Sequence, residues 1–262
     1  MAEVRYPAVA GMFYPADPDE LRSEIRQFLS AARHGVIPPP KALIAPHAGY
    51  VYSGPVAASA YAQLEQEADR IRRVVILAPA HRMGFRGLAR SSATRFRTPL
   101  GDVEVDQEAM DRIADLPQVH LLDAAFEGEH SIEVHLPFLQ ETLESFRIVP
   151  LLVSDAYPEE VEEVLERLWG GDETLIVISS DLSHYLDYDT ARRMDRQATQ
   201  AIEALDPEQL TYHHACGRTP VSGLLLAARR HHLTPVTLDL RNSGDTAGPR
   251  NQVVGYGAYA FS

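Results

Sequence analysis

Three apolar runs of this chain end in short polar turns, and each turn carries a histidine. The turns are Ala45-Pro46-His47-Ala48-Gly49-Tyr50, Ala78-Pro79-Ala80-His81 and Ser179-Ser180-Asp181-Leu182-Ser183-His184. An imidazole can lend a lone pair to a metal or carry a proton near neutral pH. Taken singly, each of these histidines reads as a hydrogen-bonded loop residue. Three in equivalent positions weigh against that reading. If the runs are strands of an open α/β sheet, the space beyond their carboxyl ends is where ligands bind, so His47, His81 and the Asp181/His184 pair are expected to converge there. The single cysteine, Cys216, is by default a small buried hydrophobe. It nevertheless stands just before an expected helix, where the helix N-terminus and Arg218 would favour a thiolate, which is also a soft metal ligand.

A second polar cluster is His130-Ser131-Ile132-Glu133, in which residues three apart share a helix face. Read without a site, it is an ordinary polar helix start. It is not a zinc-protease helix: His-Glu-x-x-His is absent, and Val134 rather than histidine follows Glu133. The small-residue segment Gly49 to Gly54 matches neither a dinucleotide fingerprint nor a P-loop, and Asn242-Ser243-Gly244-Asp245 reads as a loop.

The elements that must position these residues are legible as alternating runs. Asp17-Pro18-Asp19-Glu20 supplies a capping Asp, a Pro at the first helical position and a Glu three residues on, with Leu21, Ile25, Phe28 and Leu29 behind it at helical spacing. β-prone runs follow at 42–45, 74–77, 148–153, 175–178, 236–240 and 253–261. Helices are expected at 55–67, 107–114, 132–144, 159–169, 190–205 and 221–231. In the segment 132–144, Pro137 would break an interior hydrogen bond unless it lies in the first turn. Strands without simple alternation, separated by helices, indicate an α/β fold with a mixed or largely parallel central sheet covered on both faces. With no repeat, low-complexity tract or flexible linker, one domain over residues 1–262 is the expected count.

Composition narrows the function classes. The 262 residues are 45% hydrophobic and 23% charged, which excludes a disordered or collagenous chain. Thirty-seven acidic residues against 24 basic ones give a net charge of −13, so nucleic acid and anionic membranes are unfavourable partners. One cysteine rules out an intrachain disulfide framework and points to a reducing compartment. The first fifteen residues lack a basic flank and a continuous apolar run, and no segment approaches the roughly 20 apolar residues of a membrane span. A cytoplasmic soluble protein is expected.

Five segments taken together resemble the Memo family (mediator of cell motility): residues 4–15, Ala45-Pro46-His47-Ala48-Gly49-Tyr50, Glu129-His130-Ser131-Ile132-Glu133, Ser180-Asp181-Leu182-Ser183-His184-Tyr185 and Cys216-Gly217-Arg218. That family is similar to the class III extradiol dioxygenases, which open catechol rings with non-haem iron on an α/β fold. The resemblance implies that His47, His81 and Cys216 are metal ligands, that Asp181 and His184 stand beside the metal, and that His130 and Glu133 line the pocket. A thiolate would then replace the carboxylate of the dioxygenases' two-histidine, one-carboxylate site, so ring cleavage does not follow from the fold.

The function expected from these readings is a mononuclear iron(II) oxidoreductase acting on a small, catechol-like substrate. His184 would move protons and Asp181 would position it. Zinc and copper are the other metals considered, since two His and one Cys also suit zinc. The alternative is a binding or signalling protein that keeps the metal pocket without turnover, as the family's link to phosphotyrosine-dependent motility implies. A third reading makes Cys216 a nucleophile. By resemblance alone, a radical SAM protein and an AMMECR-type protein are implied pathway partners.

Overall fold

A computed structural model describes residues 3–262. The chain opens with a short strand, β1 (Val4–Arg5), and a helix, α1 (Pro18–Ala31). The expected cap is present: the Asp17 side chain accepts from Asp19 N and Glu20 N, both at 3.0 Å, with Pro18 in the first turn. Next come β2 (Ala42–Ala45) and α2 (Tyr50–Tyr61), which continues as a 3-10 turn over Ala62–Glu67. α2 therefore begins five residues before the expected start at Pro55, and Pro55 lies inside it. The helix is buried along most of its length and packs on α1, where Gly54 lets the Phe28 ring approach. A Cβ on Gly54 would stand 2.5 Å from that ring.

The middle of the chain forms β3 (Arg73–Pro79), β4 (Leu88–Arg90), β5 (Arg95–Thr98), β6 (Gly101–Val105), α3 (Gln107–Asp111) and β7 (Val119–Leu121). The segment expected as one helix over 132–144 is split instead. Glu133–His135 is a 3-10 turn, and α4 (Leu136–Thr142) follows with Pro137 in its first turn, where no intrahelical N–H is needed. Beyond it lie β8 (Arg147–Val153), α5 (Pro158–Leu168), β9 (Thr174–Ser179), β10 (His184–Leu186), α6 (Tyr188–Glu203), α7 (Arg218–Arg230), β11 (Pro235–Asn242) and β12 (Val253–Phe261).

The strands form one mixed sheet in the order β1-β5-β6-β8-β3-β9-β2-β12-β10, with β11 also on β12 and β4 joining β7 to β8. Its centre, β8-β3-β9-β2, is parallel. The residues explain this. In Arg73-Val-Val-Ile-Leu-Ala-Pro79 and Thr174-Leu-Ile-Val-Ile-Ser179 every position but Arg73 is buried, as a strand covered on both faces requires. The parallel centre has a consequence for chemistry: β3, β9 and β2 are immediate neighbours and run the same way, so the turns that follow them open at one edge. No helix among the described residues is long and apolar enough to cross a membrane.

Candidate metal centre

His47 lies two residues past β2, His81 two past β3 and Asp181 two past β9. Cys216 arrives from the other side, in the turn before α7. Gly217 makes that approach possible, since a Cβ there would stand 2.6 Å from the Ser179 carbonyl oxygen. Gly217 N donates to Ser180 Oγ at 3.0 Å, and Cys216 N donates to the Asp181 carbonyl at 3.3 Å. As a result one ligand atom from each of His47, His81 and Cys216 lies within 4.8 Å of the other two. His47 Nε2 and Cys216 Sγ are 3.4 Å apart. Donors bound at about 2.0–2.3 Å to one tetrahedral ion are separated by roughly 3.3–3.8 Å, so this donor set fits a single divalent transition metal.

Hydrogen bonds fix which nitrogen of each ring is free. Ser179 Oγ donates to the Ser131 carbonyl at 2.6 Å and stands 2.6 Å from His47 Nδ1. Its one proton is already placed, so His47 Nδ1 is the donor and Nε2 keeps its lone pair facing Cys216. His81 Nδ1 donates to Glu129 Oε1 at 3.0 Å, which leaves its Nε2 free as well. Glu129 is 2% exposed and also accepts from His81 N, His130 N and Ser131 N. Burial works against its charge, but the bonds from His81 and Ser131 hold its pKa down to about 2. A carboxylate behind a ligand histidine is the usual way to set the ring's tautomer and orientation. His81, Glu129 and His130 also form a compact group. Glu129 Oε1 already serves three N–H donors there, so the group orients His81 instead of competing for an ion.

His130, expected to line the pocket, stands beside the two imidazoles and not in the cleft wall, its ring stacked on His81 at 5.1 Å, 5.6 Å from that of His47 and touching Phe13 at 4.6 Å. Burial pushes it down to about 4, so it is neutral at pH 7. Burial, together with the neighbouring imidazoles His81 and His130, pushes His47 well below the usual histidine range.

Three further expectations are altered. Glu133 does not line the cleft. It is fully buried, and its carboxylate accepts from Ala8 N at 2.7 Å, Val9 N at 3.0 Å, Tyr14 OH at 2.6 Å and Arg5 Nη1 at 3.2 Å, so it anchors the N-terminal segment. Asp181 does not position His184. Its Oδ1 accepts from His47 N at 2.8 Å, and no hydrogen bond joins it to His184 among the described residues. Burial raises Asp181 to about 6, against the opposing pull of His184 and of the His47 and Ala48 backbone amides. Finally, Cys216 is not predisposed to be a thiolate. Burial and the Asp181 charge push the thiol up to about 12, and the Arg218 guanidinium is stacked on Tyr212 at 4.0 Å. A nucleophilic role is thereby disfavoured, whereas a bound cation would deprotonate the thiol directly.

Above the ligand set opens a cleft of about 390 Å³ lined by His81, His184, Tyr185, Met194, Tyr212 and Cys216. Tyr185 holds φ +59°, a left-handed conformation that costs a bulky residue about 1–3 kcal/mol.

A family profile described as Memo-like protein matches residues 5–260. The chain belongs to the Memo-like family. Similar Memo-like chains, each described as a MEMO1 family protein, come from Aquifex aeolicus (36% identical, 97% of each chain covered), Sulfolobus acidocaldarius (36%, covering 98% of this chain and 99% of the relative) and Methanopyrus kandleri (37%, 98% of each). In this Memo-like chain the residues that sequence reasoning missed are Glu129 and Ser179. Both lie inside the motifs already singled out, beside His130 and Ser180. Their signal was only that a ligand histidine needs an acceptor behind it.

Proposed function

We propose that the chain holds a divalent transition metal, iron(II) foremost, on His47, His81 and Cys216 and uses it to oxidise a small anionic substrate of catecholate type. The observation that carries this reading is the convergence of three ligand atoms within 4.8 Å of one another, with Ser179 and Glu129 holding the two outer nitrogens. Two neutral imidazoles and one thiolate leave a divalent ion one net positive charge, suited to an anionic oxygen. Such an ion would supply Lewis acidity and redox chemistry. The chain's own residues do the rest. Ser179 and Glu129 fix the rings, Tyr185, Met194 and Tyr212 wall the cleft, and His184 faces it as the group able to hold or release a proton. Zinc and copper fit the same donors.

A second reading, a binding or signalling protein with a metal pocket and no turnover, is favoured by one feature. Asp181 is engaged with the His47 backbone, and no hydrogen bond joins it to His184 among the described residues, so the expected pair for proton transfer at His184 is not formed. Anaerobic loading with iron(II), followed by oxygen uptake against a panel of catechols, separates the two. Oxygen consumption that disappears in Cys216→Ala and His47→Ala supports the oxidoreductase. Tight iron binding with no uptake from any catechol supports the binding protein. Failure of the wild-type chain to bind iron(II), zinc or copper would sink both.

A further inference from the structure

Three residues other than glycine hold a left-handed backbone among the described residues: Tyr185, Leu205 and His232. Two of them are explained by the helices they end. Leu205 follows α6, where Leu205 N donates to the Ile202 carbonyl at 3.0 Å and Asp206 N to that of Ala201 at 2.8 Å. His232 follows α7, where His232 N donates to Arg229 at 3.2 Å and Leu233 N to Ala228 at 2.9 Å. Such paired bonds onto the last turn require a left-handed residue. Tyr185 ends no helix.

It is the extra residue of a bulge at the sheet edge. In β10, His184 faces Val254 of β12 and Leu186 faces Val253, so two steps on one strand match one on the other. Both flanks are fixed: Leu182 N donates to the Gly255 carbonyl and Gly255 N to the Ser183 carbonyl, each at 2.8 Å, and Asp187 caps α6 by accepting from Thr190 N at 3.0 Å. The bulge changes the face that the side chains share. Consecutive side chains of a regular strand point to opposite sides, yet the rings of His184 and Tyr185 lie 5.9 Å apart, edge to face, and both line the metal cleft with Leu186. The fold gains little in return, since the Tyr185 ring is 69% exposed and glycine would hold the same φ without strain. Strain spent on an exposed ring at a cleft points to a partner from outside the chain.

The chemistry of the wall says which. Beyond the metal ligands it consists of Tyr185, Leu186, Met194 and Tyr212 with the imidazoles of His184 and His213, and it holds no carboxylate, lysine or arginine. Arg218 is not part of it and covers one face of Tyr212. A carboxylate on the substrate would meet no lysine or arginine there, and an ammonium no carboxylate. A hydrocarbon group would instead leave water for two aromatic rings, a leucine and a methionine. The cleft, at about 390 Å³, is also larger than a single catechol ring needs.

We propose that Tyr185 is a specificity-determining residue of the cleft, selecting a catechol whose ring bears an uncharged apolar substituent and packing on that substituent together with Leu186 and Met194. This rests on the catecholate reading above and names what the substrate carries besides its two oxygens.

Titration calorimetry on the full zinc-loaded chain tests it, with catechol, 4-butylcatechol and 3,4-dihydroxybenzoate as ligands, because zinc has no redox chemistry and binding is read apart from turnover. 4-Butylcatechol is expected to bind about tenfold or more tighter than catechol, and 3,4-dihydroxybenzoate no tighter than catechol. Tyr185→Gly and, separately, Tyr185→Asn, both residue types that accept a left-handed backbone, should bring 4-butylcatechol to within about threefold of catechol. Tyr185→Phe should keep the preference. Equal binding of the three ligands, tighter binding of 3,4-dihydroxybenzoate, or a preference that survives in both Tyr185→Gly and Tyr185→Asn overturns the inference and leaves the catecholate reading standing. If none of the three binds the zinc-loaded chain, the catecholate reading falls and the inference falls with it.

Discussion

Glu129 and Ser179 touch no ion, yet they decide which face of His81 and of His47 an ion can meet. Removing an outer partner of this kind costs about 10–100-fold in metal affinity. Glu129→Gln is therefore expected to weaken iron(II) or zinc binding by that factor in a competition titration, whereas Cys216→Ala, which removes the proposed sulfur ligand, should abolish tight binding. The thiol adds a pH dependence. Since it sits at about 12 in the metal-free chain, loading an ion at neutral pH must expel its proton. Affinity should then rise about tenfold per pH unit between pH 7 and 9, with one proton released per ion, as titrations in buffers of different ionisation enthalpy would read. The convergence of His47 and His81 was legible from residue type and strand-end position, whereas Cys216, in the turn before α7, was joined to them only through the family resemblance. Glu129 was not, because any of 37 acidic residues could stand behind a histidine until the backbone places one there. The expected Asp181–His184 pair failed for a related reason: His47 N, from a different strand end, claims the carboxylate first.

Two elements carry the site at some cost in freedom. The turn before α7 must pass so close to the end of β9 that a methyl at Gly217 would meet the Ser179 carbonyl. Gly217→Ala is expected to destabilise the fold by about 1–3 kcal/mol in urea and to weaken metal binding by displacing Cys216. At the other end, residues 5–14 are clamped to 126–133, since Arg5 donates to the Phe126 and Glu129 carbonyls as well as to Glu133. With Arg5 and Glu133 both largely buried, breaking this pair by Arg5→Leu should cost about 3–5 kcal/mol, read in the same denaturation. The apolar central strands and the helices α1, α5 and α6 were readable as alternating runs, α1 also from its end signals. The short strands β1, β4, β7 and β10 were not, since two or three residues carry no pattern of their own and exist only through their partners. The split near Pro137 accords with proline's missing N–H, which a first turn does not need.

For the whole molecule, the mixed sheet with a parallel centre follows from composition and run order, whereas strand order depends on crossovers that leave no local trace. Its burial of titratable groups sets acid stability. His47, His130 and His135 are depressed, the latter two to about 4 and about 3, so their contribution is present above the unfolded histidine pKa and lost as pH falls through the folded values. Asp181 and Asp195, both raised to about 6, act oppositely: their contribution is present below about pH 4 and lost as pH rises to 6. Between pH 6 and 4 the two sets largely offset one another. Below 4 the aspartates and His130 are protonated in both states, and His135, joined by Glu129 at about 2, removes stability without compensation. Urea unfolding against pH should therefore give a shallow slope above 4 and a steep one beneath it. The lone sulfhydryl has a practical use at this same scale. With no other cysteine in the chain, a sulfur-to-metal absorption band that develops on loading an ion can report only Cys216, so occupancy can be followed optically before a single substrate is known.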